Sequence, residues 1–141
     1  MLALWLHLVD HHRVLSPDYP VLPGIAAVIT SEIRRARERG SCRLIVADLE
    51  GRLVAFLFAE VESGPGPSGE PSPAWVHELW VEPEQREQGV AAQLLAESDA
   101  FFASRGVKRI SVRVESRNAA GLEFWARLGF GERARILERL S

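Results

Sequence analysis

Nine residues, Pro83-Glu84-Gln85-Arg86-Glu87-Gln88-Gly89-Val90-Ala91, stand between a strand-forming run, Trp75 to Val81, and a helical pattern. A helix start exposes about four unpaired N–H groups and the positive end of the macrodipole. Placed directly after a strand, it is a ready anion site. Gly89 lets the backbone approach a ligand without a Cβ, Ala91 keeps the next close position small, and Arg86 can bring a full charge to a phosphate. A plain strand–helix junction would use the same glycine for packing. His7 and His11 share an i, i+4 spacing on an apparently helical stretch, with Asp10 and His12 beside them. That spacing suits a transition metal, but a solvated helix end is the simpler reading, and no metal is expected. Ser16, Ser41 and Cys42 have no context for nucleophilic catalysis. The Arg34 to Arg39 cluster reads as a solvated helix face, and no Gly-x-Gly-x-x-Gly or Walker loop occurs.

The elements that must position these residues follow from periodicity. Leu2, Trp5, Leu6 and Val9 form a helical stripe; Leu2, Leu4, Leu6 and Leu8 also alternate, so a strand competes, with helix preferred. Ser16 to Gly24, with three prolines, reads as a loop. A helix is predicted from Ile25 to Arg39, with Ile25, Val28, Ile29, Ile33 and Ala36 inward and Gly40 as its C′ residue. Strands at Arg43–Asp48 and Arg52–Glu62 flank the hairpin turn Leu49-Glu50-Gly51. The stretch 63–73 (SGPGPSGEPSP) is predicted to be a flexible loop inserted between strands. Trp75 to Val81 is a strand, Gly89 opens a helix capped by Gly106, and Val107 to Val114 alternates as another strand. A helix from about Asn118 to Leu128 is stopped by Gly129, and Ile136, Leu137 and Leu140 belong to a last strand or tail. The order α-α-β-β-β-α-β-α-β mixes a hairpin with crossovers, which predicts an α/β fold: a mixed sheet with helices on both faces.

The chain has 141 residues, 47% hydrophobic and 26% charged, with a net charge of −2. That is one domain's worth of an ordinary globule, read here as a single domain over 1–141. The slight acidic balance argues against a nucleic-acid partner. Met1 to Val9 is too short to span a bilayer and is followed by charged residues, so neither membrane nor signal peptide is expected. Cys42 is the single cysteine. It favours a reducing, cytoplasmic compartment.

The pattern Arg86-x-x-Gly89-x-Ala91 after Val81-x-Pro83 resembles the pyrophosphate loop of the GNAT superfamily, N-acyltransferases that use acetyl-CoA. Asn118-Ala119-Ala120-Gly121-Leu122-Glu123-Phe124-Trp125-Ala126-Arg127-Leu128-Gly129-Phe130 is similar to that family's last helix. The resemblance covers Trp75 to Phe130 and implies a splayed central sheet, with acetyl-CoA as co-substrate. It implies that backbone groups of Leu79, Trp80 and Val81 pair with the pantetheine arm. Amides from Arg86 through Glu87, Gln88, Gly89 and Val90 to Ala91 would hold the pyrophosphate. Asn118 would bind the cofactor arm or cap its helix.

The implied reaction is direct acetyl transfer to a primary amine, a small molecule or a peptide. A lysine-like amine has a pKa near 10.4, so attack needs proton removal. Glu78 is the candidate base, its pKa raised by apolar neighbours; a rim carboxylate that only binds a cationic substrate is the alternative. His77 is expected on the opposite face by strand alternation. Trp125 stands where many relatives have a tyrosine able to protonate the thiolate, and its indole is no useful acid. A packing aromatic under the cofactor is the alternative to a catalytic part for Trp125, and no substitute acid is identified. A catalytically silent CoA-binding sensor or assembly subunit is the alternative function, and a homodimer is compatible with the sequence.

Overall fold

A computed structural model describes residues 1–15, 23–64, 67–69 and 71–141. The expected loop at 16–24 lies largely outside these residues, and the loop at 63–73 lies partly outside. Two helices come first, α1 (Leu2–Leu15) and α2 (Ile25–Glu38). Helix wins over strand in α1 because Leu4, Trp5, Leu8 and Val9 are all buried, a wider face than either pattern alone supplies. In α2, Ile29, Ile33 and Ala36 are buried as expected, whereas Val28 points outward and is 45% exposed. Gly40 is not the left-handed C′ residue; the helix ends on an extended Arg39, and Arg105 donates to the Gly40 carbonyl instead.

Strands β1 (Cys42–Leu49) and β2 (Arg52–Val61) form the expected hairpin. Glu50 and Gly51 both take positive φ, and the Asp48 carboxylate accepts from the Gly51 amide at 2.8 Å. That is the paired left-handed geometry of a two-residue hairpin turn. Strand β3 (Ala74–Val81) pairs antiparallel with β2, and β4 (Ile110–Val112) pairs parallel with β3, giving the order β1-β2-β3-β4. Helix α3 (Val90–Ser104) precedes β4 and α4 (Ala119–Arg127) follows it. Gly106 caps α3 with φ +69°, as its position predicts.

The sheet separates two apolar layers. Phe56, Phe58 and Trp80 face α1 and α2, whereas Ala55, Leu57, Val76 and Val81 face α3 with Leu94, Phe101 and Phe102. This is the α/β architecture with helices on both faces. The strand expectations beyond β3 are met only in part. The strand predicted from Val107 to Val114 is confined to Ile110–Val112, because its partner β3 becomes irregular just beyond Val76. Of the two readings of the C-terminal stretch, strand or tail, the tail holds: Ile136, Leu137 and Leu140 are 61%, 91% and 93% exposed and join no ladder among the described residues. Among the described residues no helix is long and apolar enough to cross a membrane.

Candidate active site

β4 meets only Ala74, Trp75 and Val76 of β3. From His77 to Val81 the second edge of β3 has no strand neighbour among the described residues, so the sheet parts there. Which groups face that opening follows from ladder parity. The Glu82 amide donates to the Val54 carbonyl at 2.8 Å. In an antiparallel pair, alternate residues point both main-chain groups at the partner and the others point them away. Trp80 and Glu78 therefore turn their main-chain groups to β2, while Leu79 and Val81 present theirs to the open edge. Of the three residues expected to pair with an extended ligand, Trp80 is misplaced: its main chain serves the sheet, and its ring packs on the α1 side.

The connection after β3 begins with a single 3-10 turn, Pro83–Gln85, and reaches α3 through Glu87 and Gly89, with φ of +63° and +79°. Pro83 suits a helical first position because it lacks the N–H that would go unpaired there. From Glu87 to Ala91, no main-chain amide finds an acceptor among the described residues. These donors fit a diphosphate. Gly89 is needed for its left-handed backbone, and a Cβ built there meets nothing within 4 Å. The Arg86 amide departs from expectation, because it donates to the Pro83 carbonyl at 3.3 Å. Gln88 turns its side chain inward too, donating to the Glu84 carbonyl at 3.2 Å.

Glu78 lies opposite Phe58, on the α1–α2 face and beside the opening. Burial pushes its carboxyl from the usual 4.5 up to about 7, since a low-dielectric setting disfavours the charged form. His77 corrects the alternation argument. The register slips between Phe58 and Ala59, so Phe58 pairs with Glu78 and Ala59 with Val76, leaving His77 as an extra residue. Such a bulge re-aims a side chain. The His77 ring lies 5.6 Å from the Phe58 ring and stacks on Trp75, and its Nε2 donates to the Glu60 carboxylate at 3.1 Å. His77 and Glu78 thus share a face, a result that period-two reasoning could not give.

α1 borders this site. His7 Nδ1 donates to the Glu82 carboxylate at 2.7 Å, and the His11 ring lies 5.5 Å from Trp80. Each of these two histidines thus has a neighbour of its own, Glu82 for His7 and Trp80 for His11. Burial, and then the charge of Arg86, hold His11 below its ordinary pKa. The Arg86 guanidinium lies 4.7 Å from the Trp80 ring, and its Nε donates to the Val81 carbonyl at 3.0 Å. Cys42 is buried, and burial raises its thiol pKa, in line with its lack of a catalytic setting.

Comparison with known proteins places the fold. The family described as Acetyltransferase (GNAT) family matches residues 8–130. The chain belongs to the GNAT acetyltransferase family. Mycothiol acetyltransferase of Clavibacter michiganensis is 32% identical over 91 residues, covering 64% of this chain and 27% of the relative. That of Amycolatopsis mediterranei is 31% identical over 107 residues, covering 72% and 36%. The chain therefore spans about a third or less of these relatives. The fold recurs in the tetramutant of the BH1408 protein from Bacillus halodurans, with a TM-score of 0.86, 15% identity and coverage of 99% and 91%. It recurs in aminoglycoside N-acetyltransferase AAC(6')-Iy in complex with CoA, with a TM-score of 0.71, 17% identity and coverage of 82% and 87%.

Within this GNAT fold the last helix carries the remaining candidates. The Asn118 carboxamide accepts from the Gly121 amide at 2.9 Å, which is an N-cap. Gly121 is what makes room for it, because a Cβ there would lie 2.7 Å from Asn118 Cγ. The cap is one of the two roles expected of Asn118; the part sequence reasoning missed is the room that Gly121 makes, although a glycine three residues after a cap residue was the available signal. Trp125 is partly buried against the α3-side core, edge-on to Phe124 and Phe130. Its surroundings are those of a packing aromatic.

Proposed function

We propose that this GNAT chain is an acetyl-CoA-dependent N-acetyltransferase that moves the acetyl group directly to a primary amine, with Glu78 as general base. The observation that carries the reading is a carboxyl titrating near 7 beside an open strand edge and a loop of free amides. A base with that pKa is ionised often enough at neutral pH, yet basic enough to accept the ammonium proton as attack proceeds. The amides of Glu87, Gln88, Gly89, Val90 and Ala91 would hold the diphosphate, and the Leu79 main chain would pair with the pantetheine arm. The Leu79 and Val81 amides lie where a developing oxyanion could be met. One cleft holding both substrates turns a bimolecular attack into an oriented one.

With Trp125 in place of an acid, the thiolate leaves without a proton from that position and takes one from water. The acceptor is a small-molecule or peptide amine. Supporting a small molecule, AAC(6')-Iy has been solved with a bisubstrate analogue joining CoA to monomethyl-acetylneamine, on a fold with TM-score 0.74 and 18% identity. The relatives named mycothiol acetyltransferases point the same way.

Trp125 also supports the competing reading of a silent CoA-binding module, and one experiment separates the two. Acetyl-CoA is mixed with a panel of amines and free thiol is followed. Amine-dependent release is expected, with kcat/KM rising with pH through about 7 and that limb lost in Glu78→Gln. CoA binding with no thiol release from any amine would favour the silent module.

A further inference from the structure

Arg86 is the member of the pyrophosphate-loop motif whose observed contacts least resemble its expected job. Its side chain is engaged by the protein: Nε donates to the Val81 carbonyl and the guanidinium carbon lies over the Trp80 ring, while its own amide is bonded to Pro83. The His11 ring of α1 also packs against Trp80, tilted by 58° at 5.5 Å. Val81 is the last β3 residue that turns its main chain to the open edge, and Arg86 takes the acceptor half of that pair.

We infer that Arg86 is a positioning residue that sets the register of the ligand's extended arm along β3, by closing the Val81 carbonyl to it. An arm adding as a strand can settle in more than one register, since β ladders repeat every two residues. Two residues of strand are about 6.8 Å long. A slip of one repeat would carry the sulfur that far from Glu78, beyond the reach of proton transfer. With the Val81 carbonyl occupied, the full donor–acceptor pair offered by the open edge is that of Leu79. The bidentate shape of the guanidinium explains why arginine serves: one nitrogen bonds the carbonyl while the plane stays on the indole, a combination lysine cannot reproduce. The inference rests on the reading of this edge as a CoA site.

The test compares the wild type with R86K and R86Q, using calorimetric CoA affinity at low and high salt together with kcat. Lysine keeps the charge and glutamine does not. If Arg86 sets the register, both variants lose affinity by about tenfold, the loss is the same at both salt concentrations, and kcat falls because part of the bound arm lies out of place. If Arg86 instead pairs with the diphosphate, R86K stays near wild type, the R86Q loss shrinks in high salt as screening removes the ion pair, and kcat is unchanged; that result overturns the inference. Thermal unfolding confirms that each variant is folded, and R86K alone decides the matter if R86Q is not. A wild type that binds no CoA overturns the proposed function itself, a failure distinct from either pattern.

Discussion

Replacing Glu78 by Gln should make the protein more stable in alkaline conditions while removing activity, and the size of the effect follows from the titration of one carboxyl. In the folded chain this group titrates near 7, against 4.5 for an unburied one. Between those values the unfolded chain has released its proton and the folded chain has not. The unfolded state then binds fewer protons, so stability falls as pH rises through this window. Below pH 4 the cost vanishes, and above about pH 8 it is complete. Integrating between pH 5 and pH 8 gives a loss of about 2.5 kcal/mol, an upper figure because solvent reaches part of the side chain. Glutamine keeps the shape and does not titrate. The stability difference between Glu78→Gln and wild type should therefore grow by up to that amount from pH 5 to pH 8. Other titrating groups cancel in this comparison. Urea unfolding of both proteins at the two pH values measures it. A difference constant with pH would refute the raised pKa, and with it the argument that Glu78 is kept as a base at a cost to the fold.

Two further outcomes concern glycines. Gly89→Ala forces a side chain into a left-handed backbone, with a cost of about 1–2 kcal/mol but no clash, so a modest fall in melting temperature should accompany weaker CoA binding by calorimetry. Full affinity in that variant would remove the loop from the site. Gly121→Ala, which in an ordinary helix would add up to about 1 kcal/mol, should bring no gain in melting temperature, because the new methyl displaces the Asn118 cap; a clear rise would show that the cap matters little.

The sequence was most informative where the physics is local. Helical and alternating periods located both early helices, the hairpin and α3, and the positive φ values at Gly51, Gly89, Gly106 and Gly129 fall where chain punctuation required them. The loop of free amides before α3 was legible because it is a short contiguous segment. What escaped depends on partners distant in the chain. Nothing near His77 signals that β2 slips its register opposite it. Nor does anything near Val114 show that its alternating pattern lacks a neighbour, and Ile136, Leu137 and Leu140 read as strand material without a place to pair. Arg86 was recognised as a charge near a phosphate loop, but its attachment to Val81 and Trp80 appears only once strand, turn and α1 are assembled.

The extra residue in β3 sits at the point where β4 lets go. On either side of it, Val76 and Glu78 already keep the phase of an uninterrupted strand, so His77 could be excised without moving any neighbour to the wrong face. What excision would change is the outer row of main-chain groups, which would run on smoothly past Val76 and let Arg113 and Val114 zip up beside it. The cleft would then heal into continuous sheet. The place where the two strands part thus coincides with one inserted amino acid.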